Sequence, residues 1–306
     1  MANGTRTAHC RNKAKEKQEV PMIHVENLNF TYPESTTSVI HDMSFDVHDG
    51  EVFGFLGPSG AGKSTTQNIL IGLLKGFAGT IEVMNRSLAS WGSELYQHIG
   101  VSFELPNHYL KLTARENLNY FSELYGGRGE SIESVLKLVD LHEVMDKPVA
   151  TFSKGMKNRL NLARSLLHQP KLWFLDEPTS GLDPVNAVRV RNLVQSKQSQ
   201  GVTTFITTHS MHTADEICDR VAFVVDGRIA AIDSPQQLKH KYGRREVEVT
   251  WDASKEELRP SRYPLDGLSD NEQFLNDLRN RPISSIHSQE TTLEDVFIQI
   301  TGRSLS

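Results

Sequence analysis

Cysteine is nearly absent from this chain. Cys10 and Cys218 are the only two, too few for a disulfide framework and without metal-ligand spacing. Long apolar runs are missing as well. The richest stretch, Arg220 to Val225, is strand-length and well short of the ~18 consecutive apolar residues of a membrane span. No apolar leader opens the sequence. Nor is there an excess of basic charge. Against 33 Lys and Arg stand 38 Asp and Glu, a formal net charge of −5, which argues against a general nucleic-acid binder. These absences point to a water-soluble globular protein of a reducing compartment. What is present suffices for a core: 38% of the 306 residues are hydrophobic. At about 150 residues per domain, that is one large domain or two ordinary ones.

Residues 1–20 are polar and carry Arg6, Arg11, Lys13, Lys15 and Lys17, and read as a disordered basic tail. A long ordered block follows over residues 21–240. Within it, three short apolar runs end in chemically loaded residues: Val52-Phe-Gly-Phe-Leu56 before Gly57, Leu172-Trp-Phe-Leu175 before Asp176, and Val202-Thr-Thr-Phe-Ile206 before His209. Such runs read as strands buried on both faces of a parallel sheet, where ligands gather at the carboxyl ends. The texture turns helical between about 87 and 169. Thr113-Ala-Arg-Glu116 forms a capping-box pattern, and Met156, Leu160, Ala163 and Leu167 recur at helical spacing before Pro170. Residues 241–306 read as a small appended α+β segment. There Val247, Val249 and Trp251 alternate as in a half-exposed strand. Thr291-Thr-Leu-Glu294 caps a last helix with Leu293, Val296, Phe297 and Ile300 on one face, closed by Gly302.

Gly57-Pro-Ser-Gly-Ala-Gly-Lys63-Ser64 fits the G-x-x-x-x-G-K-[ST] pattern of a phosphate-binding loop. Gly60 and Gly62 let the backbone approach a polyphosphate, whose charge the following helix N-terminus favours. Lys63 would neutralise the β- and γ-phosphates, and Ser64 would offer its hydroxyl to Mg²⁺. Pro58, Ser59, Ala61 and Thr65 complete the nucleotide-facing stretch, with a helix expected from Thr65 to Leu74. Asp176 and Glu177 end a buried strand, where an acidic pair is costly unless it meets a cation or handles a proton. Asp176 is placed to hold Mg²⁺ and Glu177 to polarise the water that attacks the γ-phosphate.

The order Tyr32, phosphate loop, Ser153-Lys-Gly155-Met-Lys, Asp176-Glu177, Ser180-Gly-Leu-Asp183 and His209 resembles the nucleotide-binding subunit of an ATP-binding cassette (ABC) transporter over residues 22–240. The resemblance implies a phosphate-loop NTPase fold: a parallel sheet, a helical subdomain and the small C-terminal segment. It implies ATP and Mg²⁺ as ligands, with Tyr32 stacking on adenine. A second ATPase subunit, expected to be another copy of the chain, would pair head to tail so that Ser153 and Gly155 face the γ-phosphate held by the other. Asp183 would lie in the segment crossing that interface, and His209 would help position the attacking water. The partner implied is a separate membrane-spanning subunit, which places the chain on the cytoplasmic face of the cell membrane; no nucleic acid is implied.

Two segments depart from the family pattern. Glu104 stands where the family usually places a Gln that touches both Mg²⁺ and the membrane partner, and Phe152-Ser-Lys-Gly-Met-Lys replaces the common Leu-Ser-Gly-Gly-Gln. The Ser-Lys-Gly-Met form, the ending Leu293-Glu-Asp-Val-Phe297 and the stretch from Phe103 to Tyr109 resemble ATPase subunits of bacterial drug exporters, including those of fluoroquinolones. The expected activity is ATP hydrolysis coupled to export. The alternatives are a soluble cassette-type clamp, disfavoured by the single cassette, and a regulatory ATP-binding module, disfavoured by intact Asp176, Glu177 and His209.

Overall fold

The computed structural model describes residues 20–243, 246–251, 260–289 and 291–303. The basic tail, Val20 excepted, lies outside the described residues, as does Cys10. An antiparallel pair, β1 (Ile23–Thr31) and β2 (Ser38–Val47), precedes β3 (Val52–Leu56), which delivers the phosphate-loop sequence to α1 (Lys63–Leu70). β4 (Ala78–Val83) returns beside β1, followed by the two-residue β5 (Arg86–Ser87) and by β6 (Ile99–Ser102). Then come α2 (Ala114–Leu124), α3 (Ile132–Leu138), α4 (Lys154–Leu166), β7 (Leu172–Asp176), α5 (Pro184–Ser199), β8 (Thr203–Thr208) and α6 (Met211–Ile217). A hairpin, β9 (Arg220–Val225) and β10 (Arg228–Asp233), leads to α7 (Pro235–Tyr242). The chain finishes with β11 (Glu246–Trp251), β12 (Ser261–Pro264), α8 (Glu272–Asn280), β13 (Ile283–Gln289) and α9 (Leu293–Thr301).

The three apolar runs of the sequence become β3, β7 and β8, adjacent strands of a six-stranded sheet ordered β10-β9-β3-β8-β7-β6. All its pairs are parallel except β9 with β10. The expected α/β architecture is the one adopted, and alternation within each strand explains why. Phe53, Phe55, Phe174, Phe205 and Val224 face one core, shared with the antiparallel sheet β2-β1-β4-β5. Val52, Leu56, Trp173, Leu175, Ile206 and Phe223 face a second core built with helices α4, α5 and α6. Both faces are covered, so the strands are apolar throughout.

Local signals held where the side chains could act locally. Thr113 caps α2 with both halves of a capping box, accepting from the Glu116 amide at 3.1 Å while its own amide donates to the Glu116 carboxylate at 2.8 Å. The first helix is shorter than the expected 65–74. It ends at Leu70 because the amides of Leu73 and Leu74 both turn back to the Asn68 carbonyl, at 2.9 and 3.0 Å. The expected helical region contains a strand: β6 pairs with β7 and adds the sheet's last member. The final cap is Thr292 rather than Thr291. The Thr292 hydroxyl accepts from the Asp295 amide at 3.1 Å, and the Asp295 carboxylate accepts from the Thr292 amide at 3.0 Å.

The C-terminal segment divides by its packing. Strands β12-β11-β13 form an antiparallel sheet with a small core of Val247, Val249, Trp251, Tyr263 and Phe274. Helix α9 instead buries Leu293, Val296 and Phe297 in the larger helical core, where Phe297 meets Phe223 of β9 edge to face at 5.2 Å. Phe297→Ala should therefore cost about 3–5 kcal/mol of stability. Ile286→Ala on the accessory sheet, 48% exposed, should stay within about 0.5 kcal/mol. Urea unfolding of both variants checks the contrast; equal losses would contradict this division.

Candidate active site

The phosphate loop leaves β3 through Gly57, where the chain has no room for a side chain: a Cβ there would lie 2.1 Å from the Val224 carbonyl oxygen of neighbouring β9. It enters α1 through Gly62, whose φ of +99° lies in the left-handed region that glycine tolerates. A tight turn at Asp226 and Gly227, joining β9 to β10, supports the loop from behind. The Gly227 amide donates to the Ala61 carbonyl at 3.1 Å, and the Gly227 carbonyl accepts from the His41 amide at 2.8 Å. Sequence reasoning did not anticipate this brace, although an Asp-Gly pair between apolar runs is a hairpin signal. Arg303, just past α9, donates to the Asp226 carboxylate at 2.7 Å.

Lys63 is 8% exposed and curls onto its own loop, donating to the carbonyls of Gly57 and Pro58 at 2.7 and 2.9 Å. Burial pushes its ammonium below the usual lysine range, while the charges of Glu177, Asp176 and Glu104 oppose that shift. The three acids expected from sequence are thus within electrostatic reach of the loop lysine. Ser64 donates to Asp176 Oδ1 at 3.2 Å, and the Thr207 hydroxyl, opposite Asp176 on β8, donates to the same oxygen. Among the described residues no three His, Cys, Asp or Glu side chains are grouped to hold a metal ion. Ser64 and Asp176 offer one hydroxyl and one carboxylate, the hard oxygen set that suits Mg²⁺ when phosphate oxygens and water supply the rest.

Glu177 follows directly at φ +46°, unusual for a residue with a side chain. Its amide donates to the Thr207 carbonyl at 2.9 Å. Both carboxylate oxygens are gripped: Thr208 Oγ1 donates to Oε2 at 3.0 Å and His209 Nδ1–H to Oε1 at 2.8 Å. In the neutral ring this leaves His209 Nε2 free as an acceptor. The Glu177 side chain is only 11% exposed, so the carboxylate is oriented rather than solvated. Thr207 and Thr208 are the residues whose roles the sequence concealed; two hydroxyls just before a strand-end His were the available signal. Tyr32 reaches the site as well, its hydroxyl 3.0 Å from Thr65 Oγ1 and its ring edge-on to Phe30.

Ser153, Gly155 and Asp183 form a second group. Among the described residues no hydrogen bond joins them to the phosphate loop. Ser153 caps α4, accepting from the Met156 amide at 3.2 Å. Asp183 caps α5, accepting from the backbone and side-chain amides of Asn186 at 3.0 and 2.5 Å, bonds that hold its carboxyl below the usual range. Gly155 faces Asn186, and the Lys154 amine lies over Gly181. Asn158 of α4 donates to the Pro178 carbonyl at 3.1 Å and so ties this group to the turn after Glu177. Beyond Glu104 opens a groove of about 510 Å³ lined by Phe103, His108, Tyr109, Phe121, Tyr125 and Arg164. Phe103, Leu105, Tyr109, Tyr120 and Leu124 around it are exposed. His108 donates from Nε2 to the Lys157 carbonyl at 2.8 Å, while its buried Nδ1 has no partner; burial pushes its pKa down to about 4.

The chain is similar to known proteins over nearly all of its length. The family described as ABC transporter matches residues 40–180, and that described as fluoroquinolone efflux ABC transporter C-terminal domain matches residues 245–290. The chain is 48% identical over 300 residues to a fluoroquinolones export ATP-binding protein of Mycobacterium tuberculosis (strain CDC 1551), covering 98% of this chain and 100% of that one. It is 39% identical over 197 residues to a bacitracin transport ATP-binding protein of Bacillus licheniformis, covering 64% of each. A solved ATP-binding subunit of an ABC transporter superposes with a TM-score of 0.65 at 28% identity, covering 72% of this chain and 93% of that one.

The groove histidine makes a pH prediction. The folded protein holds His108 neutral down to about pH 4, whereas the unfolded chain binds that proton near the ordinary histidine value of 6.5. Protons therefore favour the unfolded state between these values, and stability falls as the pH drops from 6.5 toward 4. His108→Gln should lose less stability than the parent chain across that window; denaturant unfolding at several pH values checks it, and parallel curves would contradict it.

Proposed function

The chain belongs to the ATP-binding subunits of ABC transporters, and on that premise we propose that it hydrolyses ATP to drive export of drug-sized molecules, fluoroquinolones among them. The substrate class rests on the near full-length likeness to the mycobacterial export protein and on the match of residues 245–290. The ATPase reading rests above all on one observation: Glu177 is oriented through both of its oxygens beside a phosphate-loop lysine.

The residues divide the work as follows. Tyr32 stacks on the adenine, and the amides from Gly57 to Thr65 with Lys63 take the phosphates, the lysine leaving its own loop carbonyls to do so. Ser64 and Asp176 would hold Mg²⁺, with Glu104 approaching from the loop after β6. When bound, this ion neutralises charge on the β- and γ-phosphate oxygens. That need is acute here, because three carboxylates lie within electrostatic reach of the loop lysine. Glu177 accepts the proton of the attacking water, while Thr208 and His209 hold it at the correct angle. His209 Nε2 is then directed to the γ-phosphate side.

Ser153 and Gly155 sit at the N-terminus of α4, whose first turn carries no acidic residue and whose free amides suit an anion. We assign them to the γ-phosphate held by a second ATPase subunit, a copy of this chain paired head to tail, with Asp183 in the segment that crosses that interface. The apolar groove beside Glu104 is the docking place of the membrane-spanning subunit. Among the described residues no helix is long and apolar enough to cross a membrane. The chain accordingly works at the cytoplasmic face of the cell membrane through that partner. Glu177→Gln should bind a fluorescent ATP analogue as the parent does, yet lose about 10²- to 10⁴-fold in turnover. Lys63→Ala should instead weaken binding itself. Near-normal phosphate release from the Glu177 variant would remove that residue from its role.

A further inference from the structure

One face of α4 grips the loop that carries Glu104. Lys157, Asn161 and Arg164 recur three to four residues apart and so share a side of the helix. His108 Nε2–H donates to the Lys157 carbonyl at 2.8 Å, and Arg164 Nη1 donates to the Asn107 carbonyl at 2.8 Å. These hold the loop after Glu104. Asn161 holds the residues before it, donating from Nδ2 to Ser102 Oγ at 2.9 Å and to the Phe103 carbonyl at 2.8 Å. Its Oδ1 accepts from Arg164 Nη2 at 2.6 Å.

Asn161 is fully buried, in a helix whose neighbouring positions Leu160, Leu162 and Ala163 are apolar core. A buried amide is costly unless paired, and here both donors and the acceptor are used. Ser102, the residue it fixes, is itself only 2% exposed. The pairing leaves the Glu104 backbone little freedom to shift without α4. That helix is also the one capped by Ser153 and carrying Gly155 in its first turn.

We propose that Asn161 is a positioning residue: it sets where Glu104 stands against the phosphate loop and makes that placement move with the helix bearing Ser153 and Gly155. This rests on Glu104 acting as the metal contact assigned above. Through that contact, Asn161 governs how strongly Mg²⁺ assists nucleotide binding, without touching nucleotide or metal itself.

The test is the ratio of dissociation constants for a fluorescent ATP analogue without and with Mg²⁺. Asn161→Asp keeps the side-chain shape and the bond from Arg164 but sets an oxygen against the Phe103 carbonyl. It should lower the apparent Mg²⁺ affinity about 10-fold, as loss of an outer-shell support does, with metal-free affinity unchanged. Asn161→Ser, too short to reach Phe103, should give the same shift if the aspartate variant fails to fold. Glu104→Gln should shift the ratio in the same direction, and the Glu104→Gln/Asn161→Asp double variant should add nothing further. If Glu104→Gln shifts the ratio and both Asn161 variants do not, the proposal falls while the Glu104 assignment stands. Additive shifts in the double variant overturn it too. If Glu104→Gln changes nothing, the metal-contact reading fails and takes the proposal with it.

Discussion

A buried ammonium organises this molecule. Lys63 has lost most of its water; its ammonium donates to two backbone carbonyls, and the charges of Glu177, Asp176 and Glu104 work against the cost of burying it. Each of those acids must therefore arrive by a rigid route. Asp176 and Glu177 come from the end of β7, two strands from β3, with β8 between them supplying the hydroxyls of Thr207 and Thr208. Glu104 comes from β6, one strand further out.

The second organising part is α4. Its first turn presents Ser153 and Gly155, its middle reaches Pro178 and the Glu104 loop, and its opposite side enters the helical core through Leu160, Leu162, Ala163 and Leu166. One rigid rod touches both groups of site residues and the exposed groove. A displacement at the groove has few soft places in which to dissipate before it reaches Ser153 and Gly155.

How much of this was legible in the sequence follows from how local each signal is. The three strand ends could be read because buried parallel strands are uninterrupted apolar runs and because the residues after them are chemically unlike their surroundings. Strand β6 could not: Ile99-Gly-Val-Ser is too short to show a period. The final cap was ambiguous in principle. Thr291 has an acid three residues on at Glu294, and Thr292 has one at Asp295, so only packing chooses between them. The brace from Gly227 to Ala61 joins residues far apart in the chain and leaves no spacing to detect. The amphipathic face of α9 was visible, but not that it packs against α6, α7 and Phe223 of β9 rather than the neighbouring small sheet.

The pairing of β3 has a consequence for the chain as it is made. Val52 to Leu56 leave the ribosome early, yet their neighbours are Thr204 to Thr208 on one side and Arg220 to Phe223 on the other. Until those residues emerge, the most apolar strand of the protein has two bare edges, and closure of so long a loop is slow. The nascent subunit thus passes much of its synthesis with an aggregation-prone segment uncovered, a natural client for chaperones. The loop it leads into gains its rear support only when the Asp226–Gly227 turn folds, so that brace arrives late in translation.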